Sequence, residues 1–222
     1  MRVALAYFKE SFKNNCMIHP MLIPFPFPIE TERLLLRPPQ PGDGQELMDA
    51  MNESYKELKD WMPWAKPQVN HAEAEVNVRN AYAQFILRKD IRISIFDKNT
   101  KKLVGSTGLH SVNWEVPHYS IGYWVRSSYA GKGIIIEAVS ALSIYAFKQL
   151  KAKKVIIKCD SDNEKSKKVA KGLGYKLEAT LKFDSTKRNP KDAKANVTRD
   201  TLIFARTEIK GLVATKVSWP QK

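Results

Sequence analysis

A turn with two glycines joins a predicted strand to a predicted long helix, and this junction constrains the fold more than any other feature. Residues 119–125 are rich in aromatic and β-branched side chains, as is typical of a strand. Gly131 and Gly133 follow, and apolar residues then recur three and four positions apart as far as Leu150. Glycines let backbone N–H groups converge, and a helix N-terminus adds roughly half a positive charge. The junction is therefore a candidate seat for a phosphate or pyrophosphate.

The glycine turn matches neither of the two common phosphate-binding fingerprints. Arg126 stands where a Walker loop has its first glycine, and Lys132 is followed by Gly133 instead of serine or threonine. Ile136 replaces the third glycine of the dinucleotide fingerprint. A tight strand-to-helix turn that binds nothing explains the glycines at least as well, so the turn alone does not decide the function.

The hydrophobic pattern along the rest of the chain predicts a mixed α/β sheet. Short alternating or β-branched runs indicate strands, and longer stretches with apolar residues three and four apart indicate helices. A strand meander followed by strand, helix, strand, helix and strand implies a mixed sheet with helices against it. The predicted strands lie at 32–37, 91–96, 103–110, 119–125, 155–157, 175–183 and 201–205, and the predicted helices at 45–51, 71–89, 131–150 and 163–172.

Length and composition narrow the class of protein. The chain has 222 residues, 43% of them hydrophobic, which suits one domain with a sizeable core. No apolar run approaches the roughly 18–20 residues that cross a bilayer, so we expect no membrane segment and a cytoplasmic location. Two cysteines, Cys16 and Cys159, make neither a disulfide framework nor a Cys-rich zinc site, and we expect no metal. The net charge of +14 favours an anionic ligand or partner.

The two ends of the chain differ from its middle. Residues 1–28 mix apolar, charged and proline residues, and we interpret them as an N-terminal extension. They do not resemble a signal peptide, because charges interrupt the apolar part that a signal peptide would need. Residues 29–209 carry the predicted elements of the domain. Residues 210–222 predict a C-terminal tail.

A second polar segment follows the glycine turn by about thirty residues. Asn163 and Ser166 stand three apart at the start of a predicted helix, so they share one face. Lysines at 165, 167, 168 and 171 surround them. A structural explanation is also available, because Ser161 and Glu164 have the spacing of a capping box. The pair is a candidate ligand site only in combination with the glycine turn.

The chain carries a series of ordered motifs that together point to one family. They are Thr31-Glu32-Arg33-Leu34-Leu35-Leu36-Arg37, a tryptophan–proline corner at 58–64, Ile121-Gly122-Tyr123-Trp124-Val125, Tyr129-Ala130-Gly131-Lys132-Gly133-Ile134, Glu137-Ala138-Val139, Asn163-x-x-Ser166-x-x-Val169 and Leu173-Gly174-Tyr175. This series resembles the GNAT superfamily of N-acetyltransferases, and within it the ribosomal-protein alanine or serine N-acetyltransferases. The resemblance spans about residues 29–209 and implies a single-domain α/β GNAT fold, with a mixed, mostly antiparallel central sheet flanked by helices.

The resemblance also implies acetyl-CoA as the donor substrate. Its pantetheine would lie along the backbone of Tyr123, Trp124 and Val125, Asn163 would bond to its arm, and Ser166 would lie near the thioester sulfur. Its pyrophosphate would bind the turn made by Ala130, Gly131, Lys132, Gly133, Ile134 and Ile135. The family motif usually opens with glutamine or arginine and closes with glycine or alanine; Ala130 and Ile135 depart from it. The bulk of Ile135 is the more serious departure.

The reaction needs a group that accepts a proton from the attacking amine and one that stabilises the departing thiolate. Related enzymes often carry a glutamate where Ser120 stands, and many carry a proton-donating tyrosine where Ala170 stands. Glu115, His110 and His118 lie nearby in sequence, and each is also explained as a surface or loop residue. We take Glu115 as the candidate base and Ser166 as the candidate donor to the thiolate.

The acceptor is predicted less directly than the donor. The family branch implies an amine acceptor on a ribosomal protein, with Trp61 and Trp64 on the acceptor side or serving only as packing. Residues 148–176 hold ten lysines and three acids, a charge that would favour the phosphates of CoA or contact ribosomal RNA. Alternatives are a small-molecule amine acetyltransferase and a catalytically idle acyl-CoA- or RNA-binding module. Either a monomer or a dimer is compatible with the sequence.

Overall fold

The computed structural model describes residues 19–189, 192–212 and 216–221, in which a β-sheet is flanked by helices. The helices are α1 (Gly44–Leu58), α2 (His71–Ile86), α3 (Ile134–Lys148) and α4 (Glu164–Gly172). The strands are β1 (Ile29–Glu30), β2 (Leu34–Arg37), β3 (Ile91–Asp97), β4 (Leu103–Asn113), β5 (His118–Val125), β6 (Lys154–Asp160), β7 (Lys176–Asn189) and β8 (Asp192–Arg206). Among the described residues, every helix is too short or too polar to cross a lipid bilayer.

The strands form one sheet in the order β1-β2-β3-β4-β5-β6-β8-β7. Strands β5 and β6 run parallel, and the other neighbouring pairs within the described residues are antiparallel. Helix α3 makes the crossover between β5 and β6, as a parallel pair requires. The expected mixed, mostly antiparallel sheet with flanking helices is confirmed.

The two faces of the sheet differ in what covers them. Ile91, Ile93 and Ile95 of β3 are fully buried in the main core, which also contains the buried side chains of α3. The intervening residues Arg92 and Ser94 point the other way, towards α1 and α2. Successive side chains point to opposite faces because the strand is pleated, and Ser94 is buried on the second face. Helix α3 therefore packs on one face, and α1 and α2 cover the other.

Residues near both ends of the chain pack onto this core. Phe25 and Phe27, within the stretch predicted as an N-terminal extension, contact the rings of Phe85 and Tyr145. Within the predicted tail, Ser218 exchanges two backbone hydrogen bonds with Glu30 at the edge of the sheet. The described parts of both end segments thus belong to the folded unit. Residues 1–18 of the predicted extension lie outside the described residues.

Candidate active site

Strands β5 and β6 part halfway along their length and leave a cleft between them. Their parallel register holds at three positions and ends at Ser120 opposite Ile156. Beyond that point β5 still pairs with β4 as far as Val125, and β6 still pairs with β8 as far as Asp160. Each strand is therefore held on its outer side while the facing inner edges separate. Inner-edge peptide groups of this kind need partners, and an extended ligand arm can provide them.

The glycine turn lies just beyond the end of β5 and is open. Gly131 and Gly133 both have φ of 76°, the left-handed conformation that favours glycine, and Gly133 is the N-cap of α3. A Cβ placed on Gly131 would meet nothing within 4 Å. Ala130 and Lys132 are exposed. A diphosphate therefore finds open space and the N-terminus of a helix at this turn.

The bulk of Ile135 does not enter the turn. Both Ile134 and Ile135 are buried and belong to the main hydrophobic core beneath the helix. A larger apolar residue at this position consequently fills the core and leaves the space above the turn unobstructed. The departure from the family motif is compatible with pyrophosphate binding.

Helix α1 anchors the loop that leads from β5 to the glycine turn. The carboxylate of Glu53 accepts hydrogen bonds from Nε of Arg126 at 2.6 Å and from the backbone N–H of Ser128 at 2.8 Å. Partial burial tends to raise the pKa of Glu53, but the bonds from Ser128 and Arg126 outweigh it and hold the pKa below its ordinary value. Ser54 accepts from the N–H of Ser127. These contacts fix the direction in which the chain enters the turn.

An ion pair between Arg33, just before β2, and Glu137 holds the first turn of α3. Arg33 donates from Nε to Glu137 at 2.7 Å and from Nη1 to the carbonyl of Lys132 at 3.0 Å. Thr31 donates to the same carboxylate. All of these residues lie in the sequence motifs, although Arg33 was not among the predicted site residues. The acidic residue in the first turn of α3 was the available signal.

Asn163, Ser166 and Tyr123 meet on the α4 side of the cleft. Oδ1 of Asn163 accepts the backbone N–H of Ser166 at 2.9 Å, so Asn163 is the N-cap of α4. The alternative in which Ser161 caps this helix is wrong. The hydroxyl of Tyr123 lies 2.8 Å from Oγ of Ser166. Only the backbone of Tyr123 was predicted to take part, because no local pattern reveals where its side chain ends.

The phenol and the thiol beside Ser166 are neutral. Burial raises the pKa of the Tyr123 phenol well above its ordinary value, and burial likewise raises the pKa of the Cys159 thiol beside Ser166. Both groups therefore stay protonated near neutral pH. They suit hydrogen bonding to a developing negative charge, and the thiol is not a ready nucleophile.

Tryptophans border the cleft on the face covered by α1 and α2. Trp64, in the loop between these helices, packs edge-on against Trp124 of β5 with ring centroids 6.1 Å apart. Trp61 of the same loop lies under the guanidinium of Arg199 in β8. Arg199 in turn pairs with Asp160 at 2.6 Å, at the end of β6. The loop and the β7–β8 hairpin thus approach each other across the open end of the cleft.

The candidate bases separate in space. Glu115 lies exposed in the turn between β4 and β5, beyond the end of β5 that is paired with β6, and the structure does not bring it to the cleft. His118 pairs with Lys154 at that same closed end. His110 lies opposite Ser120, where the strands begin to part, and its Nδ1 lies 2.5 Å from Oδ1 of Asp90.

Comparisons with known proteins agree with this arrangement. The family model described as the acetyltransferase (GNAT) domain matches residues 33–176. The Bacillus subtilis (strain 168) protein YdaF, provisionally named a ribosomal N-acetyltransferase, is 27% identical over 145 residues, covering 65% of this chain and 78% of YdaF. The ribosomal-protein-serine acetyltransferase of Escherichia coli (strain K12) is 40% identical over 62 residues, covering 28% of this chain and 35% of the enzyme.

A solved structure shows the same fold at lower sequence similarity. RimL, a ribosomal L7/L12 alpha-N-protein acetyltransferase in complex with coenzyme A, superposes with a TM-score of 0.71 at 20% identity, covering 80% of this chain and 95% of RimL. The family match covers most of the chain and includes the parted strands, the glycine turn and α4. The chain belongs to the GNAT family of acetyl-CoA-dependent N-acetyltransferases.

Proposed function

We propose that this protein transfers the acetyl group of acetyl-CoA to the N-terminal α-amine of a protein, of the kind found on ribosomal proteins. The parting of β5 from β6, with the open glycine turn just beyond the end of β5, carries the proposal. The names of YdaF, RimL and the Escherichia coli enzyme support the choice of acceptor.

The residues present fit the donor. The backbone of Tyr123, Trp124 and Val125 would bind the pantetheine, and the turn from Ala130 to Ile135 would bind the pyrophosphate. Oδ1 of Asn163 is used in capping α4, so its Nδ2 group is the one that would donate to the cofactor arm. Exposed lysines at 165, 168 and 171 add positive potential near α4 that favours an anionic ligand. When bound, acetyl-CoA supplies an activated acetyl thioester.

Ser166 would stabilise the departing sulfur, with Tyr123 behind it. The Tyr123 hydroxyl can donate to Oγ of Ser166, which frees the serine proton to point at the sulfur. Many family members use a tyrosine at the position where this chain has Ala170. Here Tyr123 of β5 would take its place. This pair supplies a hydrogen bond and does not need either group to ionise.

Replacing Ser166 with alanine is expected to lower kcat about tenfold, the effect of losing one hydrogen bond to a charge that develops in the transition state. The affinity for CoA, measured by calorimetry, should change less than kcat, because Ser166 is proposed to contact the sulfur and not the phosphates. Ser161→Ala is the matched control, since Ser161 accepts a hydrogen bond from Lys167 of α4 through its backbone carbonyl. An unchanged kcat in Ser166→Ala would show that the hydroxyl plays no part.

The acceptor is tested by measuring thiol release with a panel of amines. We expect peptides that begin with alanine or serine to be acetylated, and the same peptides with a blocked α-amine to be inert. Polyamines and aminoglycosides serve as the small-amine arm of the panel. Preferential acetylation of that arm would refute the protein acceptor while keeping the acetyltransferase.

A further inference from the structure

We propose that His110 is the general base of the acetyl transfer and that Asp90 holds its imidazole in the productive tautomer. The proposal rests on the cleft between β5 and β6 being the site of the reaction. It assigns the proton-accepting role that the family resemblance would give to a glutamate in the position of Ser120.

The register of the sheet places His110 at the point where the cleft opens. His110 of β4 lies directly opposite Ser120 of β5, which is the last residue of β5 paired with β6. Strand β4 therefore places an imidazole directly beside the position where related enzymes often carry a glutamate. Ser120 itself is buried and carries no carboxylate.

Two glycines make room for the imidazole on the face covered by α1 and α2. A Cβ placed on Gly108 would lie 2.9 Å from Nε2 of His110, and one placed on Gly122 would lie 3.0 Å from its Cδ2. Gly108 and Gly122 are in register with Arg92, which faces α1 and α2. The ring thus crosses the backbone of the first parted residues of β5, on the side where the tryptophans border the cleft.

Asp90 determines which ring nitrogen is free. Its Oδ1 lies 2.5 Å from Nδ1 of His110, so a neutral imidazole donates its Nδ1–H to the carboxylate and leaves Nε2 as an acceptor. Both side chains are a little over one-third exposed, at 37% for His110 and 36% for Asp90, so the pair is not sealed inside the core. Arg92 is the cation next to this pair, and it bonds to Asn77 of α2.

The proton and electron movements balance with the groups present. His110 accepts at Nε2 the proton that the amine loses as its nitrogen bonds to the thioester carbonyl carbon. The C–S bond then breaks with its electron pair going to the sulfur, where Ser166 can donate a hydrogen bond while Tyr123 donates to Oγ of Ser166. The imidazolium is stabilised by Asp90 and returns its proton to the thiolate or to solvent.

His110→Gln is expected to lower kcat by about 10²-fold or more, the range for a lost general base. Calorimetry with CoA should show an affinity within about twofold of the wild type, because the imidazole does not touch the donor's anionic part. His118→Gln is the matched control, since His118 bonds to the carbonyl of Val116 at the closed end of the strands. Retention of kcat in His110→Gln, or its loss in His118→Gln alone, would overturn the assignment.

The tautomer gives a readout that does not depend on the acceptor. When the His110 imidazole of the wild-type protein is neutral, long-range ¹H–¹⁵N spectra should show it protonated at Nδ1. The His110 signal is identified by its absence in His110→Gln. In Asp90→Ala this preference should disappear, and kcat should fall about tenfold while CoA affinity stays. A wild-type His110 protonated at Nε2 would overturn the role of Asp90. If the peptides are not acetylated and a small amine is, the proposed protein acceptor is wrong. The His110 variants are then assayed with that amine.

Discussion

Replacing Arg206 with leucine is expected to lower the free energy of unfolding by about 3 kcal/mol, as for other losses of a buried hydrogen-bond network. Arg206 of β8 is only 7% exposed, and its guanidinium donates to the backbone carbonyls of Leu173, Glu208 and Lys210. Leucine would leave those carbonyls without this donor. It would also remove the cation at the C-terminus of α4, which the helix dipole favours.

Thermal and urea unfolding measure this loss. For a chain of this length the expected fall in Tm is about 6–12 °C, at roughly 2–4 °C per kcal/mol. Arg79→Leu is the control, because Arg79 is an exposed arginine paired with Glu75 one helical turn away, and such pairs contribute about 0.3–0.5 kcal/mol. The stability of Arg206→Lys should lie between those of the two leucine variants. Lysine keeps the positive charge but loses the planar guanidinium that donates several hydrogen bonds. Equal stability of Arg206→Leu and Arg79→Leu would contradict the prediction.

Replacing Gly133 with valine is expected to weaken CoA binding at least tenfold, which corresponds to about 1.4 kcal/mol. Gly133 has φ of 76° at the N-cap of α3, and a β-branched residue in this conformation costs on the order of 1–3 kcal/mol. The strain would be relieved by moving the turn, which would misdirect the N–H groups proposed to bind the pyrophosphate. Calorimetry with CoA is the measurement, because it needs no acceptor.

Gly42→Val is the control that distinguishes backbone strain in general from an effect on the proposed pyrophosphate site. Gly42 also has positive φ, at 102°, with nothing within 4 Å of a Cβ placed there, and it lies in the loop before α1. This variant should lose stability in the same way and keep its affinity for CoA. If both variants lose affinity equally, the effect is a general one, and Gly133 has no special part in binding.

Local patterns predicted the central elements well and the exposed ones poorly. The predicted strand at 91–96 is β3 (Ile91–Asp97), because its isoleucines recur at every second position and all three lie in the main core. The strands predicted at 175–183 and 201–205 continue in a long hairpin, β7 and β8, as far as Asn189 and Asp192. Phe183 in that hairpin is 75% exposed. A hairpin that extends away from the core has no buried face to impose a periodic pattern.

Helix α1 shows the same limit. The sequence predicted 45–51, where apolar residues cluster, and the helix continues to Leu58. Its second half is mostly polar, but Ser54 and Leu58 are buried against the protein and Glu53 holds the loop before the glycine turn. Tertiary contacts stabilise this half of the helix, and they leave little trace in a local window.

The sequence by itself determined the α/β class, the glycine turn between strand and helix, the helix carrying Asn163 and Ser166, and the family. Each is a local property, set by spacing and by residue type over a few turns of chain. The pairs that complete the site were decided only by the tertiary structure: Asp90 with His110, Tyr123 with Ser166, and Arg33 with Glu137. Their members are 20, 43 and 104 residues apart, respectively. Strand register and the parting of β5 from β6 bring them together, and register depends on burial across the whole sheet.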